Sequence, residues 1–218
     1  MTNARRFATI AGIGSALPAQ RIANEYFESF LDTNDEWIRE RTGIGARHFA
    51  GEGETTSTMA AEAARRALNA AGIPASDVDL IIVATLTPDR PLPATAVLVQ
   101  QLLGITAPAF DLNAACSGFS YGTTVATSMI ESSAADTVVV IGAETLSRFL
   151  DMTDRGTCIL FGDGAGAAVF TAHGEPGVVD NLIEADGTGA DLLTIPAGGV
   201  ARRRLARRVF KFALAGSG

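Results

Sequence analysis

Short runs rich in β-branched residues alternate along this chain with longer, alanine-rich stretches of helical pattern. The apolar runs predict strands at residues 7–14, 80–84, 109–112, 137–142, 166–171 and 177–185, the last two joined by a Gly-Glu-Pro-Gly turn. Helices are predicted over 34–41, which carries the only tryptophan, and over 55–71, 94–103 and 116–132. The 55–71 helix is well bounded. A Thr-Ser-Thr run opens it, and Gly72-Ile-Pro74 closes it, because glycine and proline end a helix. A proline-rich loop over 87–93 leads into the next helix, which stops at Gly104. Strands alternating with helices in this way predict an α/β domain with a layered sheet.

Composition fits that picture. At 218 residues with 47% apolar and 19% charged content, the chain can bury a full core, and its 23 glycines suit closely packed layers. The longest apolar runs are far shorter than the roughly 20 residues of a membrane-spanning helix. With no secretory-type leader after Met1, a soluble chain without a membrane partner and a cytoplasmic location are expected. The net charge of −7 is uneven, since the last 18 residues hold six basic and no acidic side chains. Arg202, Arg203, Arg204, Arg207 and Arg208 lack the aromatic interleaving of a nucleic-acid surface, so no nucleic-acid partner is expected. Two cysteines, Cys116 and Cys158, are too few for a disulfide framework and lack zinc-site spacing, so no metal is expected.

Chemistry concentrates in Asp111-Leu-Asn-Ala-Ala-Cys116-Ser-Gly-Phe119, where a strand gives way through small residues to a cysteine at the start of a helix. The free N–H groups and positive end of a helix stabilise a thiolate and can hold a developing oxyanion. A small buried hydrophobe is the equally simple reading of Cys116 from local sequence alone. Cys158, inside Thr157-Cys-Ile-Leu-Phe161, reads as core. Gly12-Ile-Gly14 follows the first strand but has Leu17 in place of a third glycine, which predicts no close helix packing and no nicotinamide site. Phe161-Gly-Asp-Gly-Ala-Gly166 lacks the lysine and hydroxyl of a phosphate-binding loop, which predicts no phosphate site of that kind.

Several segments together resemble the β-ketoacyl-acyl-carrier-protein synthase III family of condensing enzymes. They are Asp32-Thr-Asn-Asp-Glu-Trp-Ile-Arg-Glu-Arg-Thr-Gly-Ile44, Ala114-Ala-Cys-Ser-Gly-Phe119, Asp154-Arg-Gly-Thr157, Phe161-Gly-Asp-Gly-Ala-Gly-Ala167 and Val209-Phe-Lys-Phe-Ala213. The resemblance implies a thiolase-like α-β-α layered fold, matched to the first half of a duplicated architecture. It divides the chain into an N-terminal α/β part, residues 1–175, and a remainder, 176–218. It implies that Cys116 takes an acyl group from acyl-coenzyme A, which is substrate and not cofactor, before condensation with malonyl-acyl-carrier protein in fatty acid or polyketide initiation. Trp37 and Arg155 would sandwich the adenine, with Arg41 and Thr33 near the phosphate-bearing end and Gly156 and Phe210 also on the coenzyme side. An indole face and a guanidinium plane suit a purine, and arginine forks suit phosphate. Without the motif, Trp37 reads as an anchor for a surface helix and the arginines as members of ion pairs. A homodimer joined through the sheet edge and the loop 88–93 is implied, with Leu92 reaching the partner's acyl pocket.

The family's second half supplies a histidine and an asparagine for the condensation step. His48 and His173 stand outside those motif contexts and read as surface or structural. Two rival functions are an acyltransferase of the same fold acting on an alcohol or amine, and a non-catalytic module that binds acyl-coenzyme A or a partner chain.

Overall fold

The computed structural model describes residues 6–195 and the backbone of residues 211–212. In chain order the strands are β1 (Phe7–Ala16), β2 (Gln20–Ala23), β3 (Ala46–Phe49), β4 (Leu80–Ala84), β5 (Ala109–Leu112), β6 (Thr137–Thr145), β7 (Asp163–His173), β8 (Leu193–Thr194) and β9 (Lys211–Phe212). The α-helices are α1 (Glu25–Glu28), α2 (Asp35–Thr42), α3 (Thr56–Ala71), α4 (Thr95–Leu103), α5 (Gly118–Glu131) and α6 (Arg155–Cys158). They form two compact units, each assembled from separated pieces of the chain. The first comprises Met1–Leu17, Glu52–Glu144 and Gly164–Ile183, and the second Pro18–Gly51, Thr145–Asp163 and Glu184–Gly218.

A five-stranded sheet in the order β1-β7-β6-β4-β5 organises the first unit. β4 runs parallel to both β5 and β6, while β1 and β7 are antiparallel. All five residues of β4 are buried, because both faces of the sheet are covered. Ile81 and Val83 point into a cluster with the alanines of α3 and with Val99 of α4, together with Val139 and Ile141. Leu80 and Ile82 join Val138, Val140, Ala126 and Ile130 on the α5 side. The period of two along the strand thus feeds two separate cores. Each buried Ile or Val contributes about 1.5–3 kcal/mol.

α3 is held at both ends by local chemistry. Thr55 and Thr58 form a reciprocal capping box, and Gly72 closes the helix in the left-handed region at φ +68°. Gly12 and Gly14 let this helix lie against β1. A Cβ added at Gly14 would stand 2.4 Å from the Ala63 carbonyl oxygen and from the Ala67 nitrogen. This corrects the expectation from Leu17 that no helix packs closely on the first strand. The helix that does so is a later one, and alanine at 63, 67 and 71 supplies the smoothness that a third glycine would have given.

Several sequence expectations change. β6 and β7 extend beyond 137–142 and 166–171. The helix expected over 116–132 begins as a 3₁₀ turn, Ala115–Ser117, and becomes α-helical only at Gly118. The strand expected over 177–185 is irregular. Val178 donates its N–H to Ala8 O and packs on the α5 side, whereas Val179 and Leu182 are exposed. One backbone bond is too little to propagate a ladder.

In the second unit, β2 and β3 form an antiparallel pair beside α1, α2 and α6. Neither β2 nor β3 was legible as an alternating run. Their core is Ile22, Phe27, Ile38, Cys158 and Ile159. Arg47 is buried among them, donating to Asn24 Oδ1 at 2.7 Å and to Ile159 O at 2.6 Å, with its guanidinium 4.7 Å from the Phe27 ring centroid. Among the described residues, no helix is long and apolar enough to cross a membrane.

Candidate active site

Within the first unit, β6, β4 and β5 bring their carboxyl ends side by side, the edge at which open α/β sheets bind ligands. β5 runs directly into the turn that carries Cys116. Ala115 has φ +46°, a conformation that L residues adopt at a cost, and it turns the chain so that the Cys116 side of the segment is exposed. The Ser117 N–H donates to Ala114 O at 3.1 Å, and α5 starts at the next residue. Cys116 therefore stands one turn ahead of the α-helix, not on its first turn as the sequence predicts. Gly118 and Gly122 seat α5 on the sheet. A Cβ at Gly122 would come within 2.8 Å of Val140 Cγ1, and one at Gly118 within 3.0 Å of Ala84 Cβ. Asp111 on β5 accepts the Thr95 and Ala96 N–H groups, each at 2.7 Å, and so caps α4 with both carboxylate oxygens.

The turn after β4 is fastened from β6. Glu144 accepts the Leu86 N–H at 2.8 Å and the hydroxyls of Thr87 and, at 3.4 Å, Thr85. Burial pushes its carboxyl above the ordinary range, against the lowering effect of those hydrogen bonds. Sequence reasoning missed Glu144. The one available signal was a carboxylate closing an otherwise apolar strand run, Val-Val-Val-Ile-Gly-Ala-Glu144. Leu92, on the loop leading to α4, is 83% exposed.

The second unit gathers Trp37, Arg41 and Arg155. Asn34 caps α2 by accepting the Trp37 N–H at 2.8 Å, and Gly43 closes the helix at φ +72°. The Arg41 guanidinium carbon lies 4.3 Å from the Trp37 ring centroid and that of Arg155 lies 4.6 Å away. Arg155 also donates to Asp32 O at 2.6 Å. Both arginines stack on the indole, and among the described residues neither is in an ion pair. Two van der Waals layers need roughly 7–8 Å, so Arg155 has to swing outward to admit a purine between itself and Trp37. Among the described residues, the buried Thr33 hydroxyl has no hydrogen-bond partner. The Gly156 N–H donates to Asp154 Oδ1, capping α6. Phe210 lies outside the described residues, as do the tail arginines from Arg202 to Arg208.

The remaining candidates have local roles. Cys158 is fully buried, and burial followed by the charge of Asp154 pushes its thiol up to about 11, against a lowering effect of Arg47. This agrees with its reading as core. His48 pairs through Nδ1 with Pro18 O, and His173 Nδ1 accepts the Glu175 N–H. A Cβ at Gly162 would meet Arg47 Cβ at 2.9 Å, whereas one at Gly166 would meet nothing within 4 Å. Buried Asp163 instead organises its loop, accepting from Ala50 N, Ser147 N and Ser147 Oγ. Among the described residues, no three His, Cys, Asp or Glu side chains are grouped as metal ligands.

Comparison with known proteins bears on both units. Residues 110–187, which hold Cys116, Arg155 and the 161–167 glycine segment, match the family model described as 3-oxoacyl-acyl-carrier-protein (ACP) synthase III. A β-ketoacyl-acyl-carrier-protein synthase III of Neisseria meningitidis is 54% identical over 193 residues, 88% of this chain. The chain is thus similar to the synthase III family. It spans about 60% of the length of that relative. The crystal structure of the synthase III from Aquifex aeolicus superposes with a TM-score of 0.83 at 42% identity, covering 94% of this chain and 64% of the other. The priming β-ketosynthase of the R1128 polyketide pathway gives a TM-score of 0.84 at 36% identity over 89% of this chain and 58% of its own. The thiolase-like fold expected from the synthase III motifs is thereby established.

Proposed function

We propose that this chain accepts an acyl group from acyl-coenzyme A on Cys116, the first half-reaction of a condensation that begins fatty acid or polyketide synthesis. The exposed thiol on the strained turn at the carboxyl edge of β5 carries this reading. The sulfur attacks the thioester carbonyl and forms a new C–S bond. The tetrahedral oxyanion then collapses, the bond to coenzyme A breaks, and the thiol proton leaves with the coenzyme sulfur. A helix start offers N–H donors to an oxyanion, and α5 begins two residues after Cys116. In the second half-reaction, malonyl-acyl-carrier protein loses carbon dioxide, its carbanion attacks the acyl carbon, and Cys116 is released. Arg41, Trp37 and Arg155 support the coenzyme side, since stacking on an indole and charge-assisted hydrogen bonding to phosphate are what a nucleotide offers. A homodimer through the β5 edge and Leu92 completes the proposal.

Intact-mass analysis of the chain incubated with acetyl-coenzyme A tests it. One acetyl adduct is expected, absent from Cys116→Ala and retained in Cys158→Ala. An adduct that follows Cys158, or none on the wild-type chain, refutes the assignment.

A further inference from the structure

Glu144 is an expensive residue to place where it stands. A carboxylate withdrawn from water loses hydration that only well-made hydrogen bonds return, and a strand end of this kind is served as well by an apolar or hydroxyl side chain. Its partners explain the placement. All come from three consecutive residues of the turn that follows β4, at the same sheet edge as the cysteine. That turn is otherwise held by its flanks. The Thr85 N–H donates to Leu112 O at 3.1 Å, which ties it to the last residue of β5. Thr87 N–H donates to the Thr85 hydroxyl at 3.1 Å, and Thr87 O accepts the Thr56 hydroxyl at 2.7 Å, which ties it to α3. Asp89 continues the sequence of attachments by accepting both the N–H and the hydroxyl of Ser57. Thr85 and Thr87 are buried, so their bonds to Glu144 are sheltered from water.

Three residues separate Leu112 from Cys116, and Ala84, the last residue of β4, touches the position of Gly118 just beyond it. The turn therefore abuts both sides of the nucleophile segment. We propose that Glu144 is a positioning residue for Cys116: from β6 its carboxylate fastens the turn 85–87, and through the bond of that turn to the end of β5 it fixes where the thiol stands. The structural part of the inference rests on geometry alone, while its kinetic part rests on the acyl-acceptor role of Cys116.

The test compares the full 218-residue chain with Glu144→Ala, Glu144→Gln, Thr87→Val and the Glu144→Gln/Thr87→Val double variant. Hydrogen exchange is read by mass spectrometry over 84–88 and 112–118. Acylation of Cys116 is followed at increasing acetyl-coenzyme A, with iodoacetamide alkylation as a measure of the bare thiol. Glu144→Ala is expected to speed exchange in both segments by about tenfold or more and to lower the limiting acylation rate by about 10- to 100-fold. The half-saturating concentration and the alkylation rate should move less than about threefold, because the coenzyme side and the thiol itself are intact. Glu144→Gln, which keeps an acceptor for the Leu86 N–H, should recover part of the loss, and its effect should not add to that of Thr87→Val. Unchanged exchange over 112–118 in Glu144→Ala overturns the proposal. If that variant does not fold, unchanged exchange in both Glu144→Gln and Thr87→Val overturns it equally. A wild-type chain that takes up no acetyl group refutes the acyl-acceptor reading and leaves the exchange comparison to decide the clamp.

Discussion

Cys116 and Cys158 put one functional group in two settings within one chain. Cys116 stands exposed on a strained turn, whereas Cys158 is enclosed by Ile22, Phe27, Ile38 and Ile159. The thiol of Cys158 rises from 9.0 to about 11, which corresponds to roughly 3 kcal/mol favouring its neutral form in the folded chain. A group raised on folding contributes stability that is fully present below the unfolded value, here about 9, and is lost as pH climbs through about 11. Urea unfolding followed from neutral pH to about pH 11 should therefore show a steeper alkaline decline in the wild type than in Cys158→Ala. Equal slopes would remove the link between burial and titration. Cys116 showed its interest in the sequence because small residues and a strand-to-helix change surround it. Glu144 did not, since its partners come from a turn that is distant in sequence and adjacent only once β4 and β6 pair.

At the scale of elements, the contact between β1 and α3 depends on the absence of side chains. Gly14→Ala would bring its Cβ against two backbone atoms, which no rotamer change relieves. A loss of about 1–3 kcal/mol in unfolding free energy is expected. Gly166→Ala, on the paired strand β7 with open space around the added carbon, should be close to neutral. Comparable losses in both variants, measured by denaturant midpoint at constant slope, would mean that strand propensity and not helix contact sets the cost. Most elements of the first unit were readable because their signals are local: β4 and β5 fall where the apolar runs end, and α3 and α4 stop at glycines in the left-handed region. The paired strands β2 and β3 were not, for Gln20–Ala23 and Ala46–Phe49 carry charged or polar side chains and acquire their pairing from one another. The segment 177–185 misled in the opposite sense, with apolar residues enough for a strand but no strand pairing among the described residues. At the candidate site, the family motifs located Cys116, Trp37, Arg41 and Arg155, while the direct stacking of both arginines on the indole is a tertiary fact that spacing does not encode.

For the molecule as a whole, the sheet ends at β5, a strand hydrogen-bonded to β4 on one side, with Phe110 exposed on it. An open strand edge is a template for pairing, and a long-lived monomer ordinarily blunts such an edge with charge or proline. The interior of β5 has one charge, Asp111, and that carboxylate is committed to capping α4. Sedimentation equilibrium at micromolar concentration should give the dimer mass, and Phe110→Asp should raise the dissociation constant by about tenfold or more, as expected when a charge enters an apolar contact. A monomer mass with unchanged circular dichroism would count against the β5 edge as an interface.

The stack of Arg41 and Arg155 on Trp37 has a spectroscopic side. Trp37 is the only indole in the chain, so light absorbed at the red edge of the protein band enters at one place, beside two guanidinium groups. A purine reaching that ring has to exchange places with one of the cations, replacing a charge by a π-system as the nearest neighbour of the excited state. Under the proposed coenzyme role of Trp37, its emission is an unlabelled optical gauge of nucleotide occupancy, sited in the second unit.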